Sequence, residues 1–419
     1  MSKTLKTDLI CNYASFAVMA ASGLVMNFVV AKFYSAEVLG VFNQVLAFYI
    51  MGSQFAVGGV HYSTLQAVAK CQDDRRRRSE ILINALLLAL VFGLLTWFAL
   101  HISKDLISMV LESPAVGEGV VYVAPALMLY SLNKVLIAAL NGMQRMKAFA
   151  LCQAFRSIAL VLILLYAAHS SWQGTRLSQA FLFAEAALFL VSGFLCLGSF
   201  SWHKGVLKIS QIIEHAKFGI KGFMSGVFLE INTRVDVLMV GFFMSDRDVG
   251  IYSLAAIFAE GLVLLLAVVK NLVNPMLAKL IAAGEFSEIK SLVRKSWKYL
   301  YPGMAFSILC AVGAFWLFLQ LSGKAEVMDI CIQVFLFLAA GVLIASGLIP
   351  FDGILVQAGQ PGWHTGLTVM IVLTNSVLNL LLIPHFGLIG AAMATAVSIV
   401  CSAIYLNFLC RKRLSFSLL

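Results

Sequence analysis

The sequence predicts an all-α polytopic membrane protein, with twelve transmembrane helices in two six-helix lobes. Three observations carry that prediction. First, 61% of the 419 residues are hydrophobic and 12% are charged, against roughly half and a quarter in a soluble domain. Second, the apolar residues fall in runs of about 20, the length a helix needs to cross a bilayer. Third, short motifs of the first half recur in order in the second half.

The apolar runs lie at approximately 9–31, 38–65, 81–100, 120–141, 149–168, 177–199, 217–243, 249–274, 298–319, 330–356, 363–383 and 387–410. The second, seventh and eighth are long enough to tilt or to protrude from the bilayer. Pro275, Pro350 and Pro384 fall at or near run ends. Pro125 falls inside the fourth run, where neighbouring helices can satisfy the carbonyl it frees. The first run follows a short polar N-terminus without a small-x-small cleavage site, so it reads as a span rather than a removed signal peptide.

The formal net charge is +10. The basic residues sit in short clusters between runs, which argues for membrane topology and against nucleic-acid binding. With the N-terminus inside, the inner segments hold Lys3 and Lys6; Lys70 and Arg75 to Arg78; Arg145, Lys147 and Arg156; Lys204, Lys208, Lys217 and Lys221; Lys279 to Lys298; and Arg411 to Arg413. The outer segments hold only Lys32, Lys104, Arg176, Arg247 and Lys324. This bias puts both termini in the cytoplasm. The run Arg75 to Arg78 reads first as a topogenic cluster. Its alternative reading is a site for anionic lipid or phosphate.

The repeat is clearest where Tyr34-Ser-Ala-Glu-Val-Leu-Gly-Val-Phe42 returns as Met244-Ser-Asp-Arg-Asp-Val-Gly-Ile-Tyr252, at an offset of 210. Ala69-Lys70 followed by Ser79-Glu80-Ile81 returns as Ala278-Lys279 followed by Ser287-Glu288-Ile289. The expected lobes are therefore 1–205 and 206–419. Each holds an even number of spans, so the two share one orientation and are related by a pseudo-two-fold along the membrane normal. Rocking such lobes gives alternating access to a site at the midplane.

Charges inside spans are costly and mark candidate sites. Here they are Lys134, Glu185, Glu230, Arg234, Asp236, Glu260, Lys270 and Asp352. Glu230 and Arg234 are four apart and can pair on one helix face. Asn232 and Asp236 share a second face. Asp236 reads as a structural residue that captures a cation from another helix. Lys134 and Lys270 have no acid four residues away, which favours a place in a cavity. Glu185, Glu260 and Asp352 read as ion carriers or as partners of these cations. Amides such as Asn133, Asn375 and Asn379 can be interhelical glue or can line a cleft suited to a sugar.

Other chemistries lack their motifs. There is no GxxxxGK[ST] phosphate loop, no HExxH and no GxSxG. The eight cysteines are scattered, without CxxC or Cys/His metal spacing. No cofactor or bound metal is expected, and no enzymatic role. A membrane-embedded glycan polymerase or ligase stays as an alternative, as does a drug or small-molecule antiporter.

Several segments together resemble the oligosaccharide flippases of the polysaccharide transport family, within the multidrug/oligosaccharidyl-lipid/polysaccharide exporter superfamily. They are Lys217-Phe-Gly, Asn232-Thr-Arg-Val-Asp236, Val249-Gly-Ile-Tyr-Ser253, Asn274-Pro-Met-Leu-Ala-Lys279 and Leu382-Ile-Pro-His-Phe-Gly-Leu-Ile-Gly-Ala-Ala-Met-Ala-Thr395. Asn27 to Lys32 followed by Glu37-Val-Leu-Gly40 adds the first loop. The resemblance implies flipping of undecaprenyl-pyrophosphate-linked oligosaccharide, for O-antigen or capsule, across a bacterial inner membrane. It implies membrane lipids as partners and contact with glycan polymerase machinery, and it leaves H+ or Na+ coupling open. Arg234 and Asp236 are the positions it marks. Arg234, Lys134, Lys270 and Asn232 are the expected substrate-binding residues. Glu230, Asp236, Glu185, Glu260 and Asp352 are the expected coupling or ion-pair residues. Drug-exporting relatives carry an acid within the first span, and this chain has none there after Asp8.

Overall fold

The computed structural model describes residues 3–71, 74–201 and 206–418, without the side chains of 3–10, 221, 222, 224 and 225. Lys204 and the side chains of Lys3, Lys6 and Lys221 therefore lie outside the described residues. Among the described residues all regular structure is helical. In chain order the helices are α1 (Lys3–Phe33), α2 (Ala36–Val57), α3 (Val60–Ala69), α4 (Arg75–Ile102), α5 (Lys104–Val110), α6 (Pro114–Gly142) and α7 (Met146–His169). They continue as α8 (Gln179–Cys196), α9 (Ile209–Phe243), α10 (Asp246–Ala282), α11 (Phe286–Leu321), α12 (Met328–Ala345), α13 (Ile354–Gln357) and α14 (Pro361–Leu414).

Each predicted apolar run lies on one or more of these helices. Among the described residues, ten helices are long and apolar enough to cross a membrane. One of them, α14, has 54 residues, about 80 Å at 1.5 Å per residue against a hydrocarbon core of about 30 Å. Gly387, at φ 58° and ψ −134°, breaks it at the start of the last predicted run. Helix α9 carries the seventh predicted run. Outward faces stay apolar, as lipid contact requires: Leu190 and Phe194 on α8 are 74% and 73% exposed.

The repeat motifs turn out to be helix starts. Ser35 caps α2 by accepting from the Val38 amide at 3.2 Å. Its counterpart Ser245 caps α10 in a reciprocal box with Asp248. A serine at this position satisfies amides that a helix start leaves orphaned. Gly40 and Gly250, five residues further on, are both buried.

Two predicted spans are interrupted. The run 38–65 ends as α2 at Val57, and α3 restarts at Val60. Gly58 and Gly59 between them take φ of 53° and 74°, a left-handed pair that only glycine adopts without penalty. The run 330–356 ends as a regular helix at Ala345, and 3-10 turns and the short α13 follow. Donors from α11 satisfy carbonyls at this break. Trp297 Nε1 donates to the Gly347 carbonyl at 3.0 Å, and the Tyr301 hydroxyl donates to the Ile344 carbonyl at 3.3 Å.

The chain divides into two compact units, 1–230 and 231–419. The repeat boundary at 205/206 falls at the edge of the undescribed residues 202–205. In the first unit, α6 packs against α2, α3, α4 and α8, and α1 packs along α7. In the second, α12 packs against α10 and α14. An apolar cluster built on Leu277, Ile289, Val293, Phe351, Leu355 and Leu409 closes one end of the second unit.

Candidate functional site

Each unit holds a polar centre inside its apolar helices. In the first, the centre is Glu185 on α8, which is 1% exposed. Arg156 of α7 places Nε 2.9 Å from its Oε1. The Tyr49 hydroxyl of α2 donates to the same oxygen at 2.8 Å. Asn133 of α6 donates to Oε2 at 2.7 Å and to the Glu185 backbone carbonyl at 2.9 Å. Ser192 in turn donates to Asn133 Oδ1 at 3.0 Å. Both carboxylate oxygens are therefore filled, and one of the donors is a permanent cation. The Arg156 guanidinium also lies 4.6 Å from the Tyr130 ring centroid.

This corrects one sequence assignment. Arg156 was expected among the inner-segment charges that set topology. It stands instead well inside α7 and neutralises Glu185. Its place within the apolar run 149–168 was the signal. Lys134, one turn along α6 from Tyr130, has its ammonium 5.9 Å from that ring centroid. Among the described residues it has no carboxylate partner within salt-bridge distance.

In the second unit the centre is Asp236 of α9. Asn375 and Asn379 of α14 donate to its Oδ1 at 2.5 and 3.0 Å. Asn379 also donates to Asn375 Oδ1 at 3.0 Å. Tyr252 of α10 and Thr395 of α14, 3.2 Å apart at their hydroxyls, close the ring around the carboxylate. The expected cation from another helix is not what holds Asp236. Neutral amides and hydroxyls hold it, because α14 runs past α9 with asparagines one turn apart. Asn379 keeps a buried Oδ1 without a hydrogen-bond partner, so the centre has oxygen acceptors to spare.

The remaining candidates pair across helices. The spacing lets Arg234 pair with Glu230 one turn earlier on α9. The carboxylate at its Nη1 is Glu260 of α10, at 3.4 Å. That contact is long, and the Arg234 Nε is buried without a partner. Lys270 has no acid four residues away on its own helix, and Asp352 is among the acids the sequence offers as partners. Lys270 lies 2.6 Å from Asp352, which the broken segment after α12 brings to α10. Neither pairing could be read from i,i+4 spacing. Asn232 is partly buried on α9, two residues before Arg234. Among the described residues no group of three or more His, Cys, Asp or Glu is placed to hold a metal ion.

A family model described as polysaccharide biosynthesis protein matches residues 12–281. A relative from Haloferax volcanii, named "Probable low-salt glycan biosynthesis flippase Agl15", is 26% identical over 301 residues. The match covers 67% of this chain and 59% of that protein, so the chain spans less than two thirds of the relative's length. An inward-facing multidrug resistance MATE family transporter of the MOP superfamily superposes with a TM-score of 0.76 at 13% identity, covering 95% of this chain and 94% of that one. The lipid II flippase MurJ in an inward closed conformation superposes with a TM-score of 0.77 at 16% identity, covering 95% and 87%. At these identities the likeness establishes the fold, that of all-helical multi-span transporters.

Proposed function

The chain belongs to the polysaccharide biosynthesis protein family, and from that premise we propose that it is a flippase for a lipid-linked glycan. The substrate is undecaprenyl-pyrophosphate-linked oligosaccharide, carried from the cytoplasmic to the periplasmic leaflet of a bacterial inner membrane. The copies 1–205 and 206–419 alternate access by rocking, with both termini in the cytoplasm. The relative named as a glycan biosynthesis flippase and the fold shared with the lipid II flippase support this reading. Neither relative is an enzyme, which weighs against the polymerase or ligase alternative.

The observation that carries the proposal is Arg234. It is an arginine on α9, in the seventh predicted apolar run, with a long contact of 3.4 Å to Glu260 and an Nε without a hydrogen-bond partner. A guanidinium with donors to spare suits the oxygens of a pyrophosphate. Lys134, Lys270 and Asn232 are the further substrate contacts. Lys270 reaches the substrate by exchanging Asp352 for phosphate. A membrane potential that is negative inside favours moving the anion outward, by about 2.3 kcal/mol per charge per 100 mV. Asp236 is the coupling group, its oxygens and the free Oδ1 of Asn379 taking H+ or Na+ as co-substrate. Glu230, Glu260 and Asp352 tune the charge around these cations. The absence of any acidic residue from the described part of the first span, 11–33, favours a flippase over the drug antiporters that share the fold.

Deleting the gene in its host should leave lipid-linked repeat units on the cytoplasmic face. If they reach the periplasmic face and stay unpolymerised, the protein acts after flipping and the proposal fails. Arg234→Ala should insert normally yet restore no glycan display. Normal display by the well-expressed variant would remove Arg234 from the substrate path. A cysteine placed beside Arg75 should be labelled from the cytoplasm, and labelling from the periplasm would invert the topology.

A further inference from the structure

The cationic run at the start of α4 borders a cavity of about 250 Å³. Its walls come from α3, α4 and the start of α9, all within the first unit. Of the four arginines in the run, Arg77 is the one that lines it. Lys70 stands at the other side, and Glu214, Gln66 and Gln211 complete the polar wall. His215 forms the floor. It is 4% exposed and hydrogen-bonds the Ser63 hydroxyl. Burial lowers its pKa, against a smaller opposing pull from the Glu214 carboxylate, so the imidazole is neutral near pH 7. The cavity thus presents two cations and one carboxylate, a net charge of one plus.

The walls are fixed before anything binds. Lys208 meets Glu80 at 2.6 Å. Asn84 accepts from the Lys208 amide at 2.9 Å and donates to the Val206 carbonyl at 2.8 Å and to Gln211 Oε1 at 3.1 Å. These bonds lace the start of α9 to α4. A ligand between them therefore needs little reorganisation. A second, largely apolar slot of about 340 Å³ adjoins the cavity along α9. Ser210, Ile213, Glu214, Lys217 and Phe218, all on α9, line it, and it shares Glu214 and Phe218 with the first cavity.

A charged chamber that opens beside an apolar slot, at the end of α4 where the apolar run begins, fits an amphiphile with an anionic head. We propose that this chamber is a binding site for a membrane phospholipid, distinct from the transported substrate. Lys70 and Arg77 hold the phosphodiester, whose single negative charge matches the net charge of the chamber. Glu214 accepts a hydrogen bond from the hydroxyl or ammonium of the headgroup. One acyl chain lies in the slot along Phe218. Bound in this way, the lipid ties α3 and α4 to α9, the helix that continues into the second unit.

The test uses the full chain, purified in detergent and stripped of lipid, with phosphatidylglycerol binding followed by native mass spectrometry. Arg77→Gln and Lys70→Gln should each weaken the tightest site about fivefold, the effect of about 1 kcal/mol per basic residue at a lipid headgroup. Arg76→Gln, in the same run but outside the chamber, should leave that site unchanged. Inorganic phosphate at equal concentration should compete weakly, because it has no chain for the slot. An equal loss in Arg76→Gln would mean diffuse attraction to the run and would overturn the site. Full competition by phosphate would make it a free-anion site and overturn the lipid. Unchanged binding in Arg77→Gln and Lys70→Gln would overturn both. No step depends on transport, so the result stands apart from the identity of the carried glycan.

Discussion

The polar centres of the two units solve the same problem in different ways. Each holds a carboxylate within apolar helices, where an isolated charge is costly. Glu185 meets the cost with a permanent counter-charge, Arg156, and with Tyr49 and Asn133 each donating to one of its oxygens. Among the described residues, the donors around Asp236 are neutral and come from Asn375, Asn379, Tyr252 and Thr395. A salt-bridged carboxylate with a donor on each oxygen is held in its charged state. A carboxylate held by amides and hydroxyls can lose or gain a charge without breaking its frame. The first centre is therefore a lock, and the second matches the coupling role proposed above for Asp236.

The sharpest way to break this contrast is to remove one member of the lock. Glu185→Ala leaves Arg156 buried without its partner, which costs about 3–5 kcal/mol in such pairs. Little folded protein should survive solubilisation, as read by size-exclusion profile and melting temperature. A Glu185→Leu/Arg156→Met double variant removes both charges and should recover most of that stability. If the double variant folds but is dead in transport, the centre does more than hold helices. Next comes Asp236→Asn, which is close to isosteric and stays within a ring of donors and acceptors. It should fold nearly as well as wild type and, on the coupling role proposed for Asp236, abolish any response of transport to pH or Na+. A variant as unstable as Glu185→Ala would erase the distinction between the centres.

A smaller effect is expected at the glycine break, where the units also differ. At the repeat offset of 210, Val268 and Val269 stand in unbroken α10 where Gly58 and Gly59 separate α2 from α3. A Cβ on Gly59 would lie 2.3 Å from the Gly219 carbonyl oxygen. Gly59→Ala also pays about 1–2 kcal/mol for a left-handed backbone, and should lower the melting temperature by several degrees. Val268→Ala in α10 meets neither obstacle and should cost less. The smallest effect belongs to His215. Burial lowers its pKa below the ordinary 6.5, so the unfolded chain binds the proton more readily. Its contribution to stability is complete above pH 6.5 and is lost as the pH falls below that value. A His215→Gln variant should show a flatter melting-temperature profile between pH 7 and 5.

Much of the fold was legible in the sequence, and the reason is local. A run of about 20 apolar residues has few alternatives to a membrane helix. The serines of the repeat motif, Ser35 and Ser245, are caps whose action spans three residues. The breaks were less legible. Gly58-Gly59 lies inside an apolar run, and nothing in hydropathy separates a helix that continues from one that turns. Asp352 was visible as a charge near the end of a run, but the irregular segment that carries it to Lys270 was not.

The candidate site divides along the same line. The sequence marked Glu185, Arg234, Asp236, Lys270 and Asp352 as exceptions to an apolar rule, because a charge among apolar neighbours is a property of the chain itself. It could not say which exceptions neutralise one another. Arg156 finds Glu185 from the next helix, Arg234 reaches Glu260 on α10, and Asp236 is held by an asparagine 139 residues away. Apolar runs, caps and topogenic charges act over one turn or one span, so the sequence by itself determined them. Ion pairing in a bilayer depends on distance through space, so only the packing of α7 on α8 and of α14 against α9 decided which charge is locked and which can change.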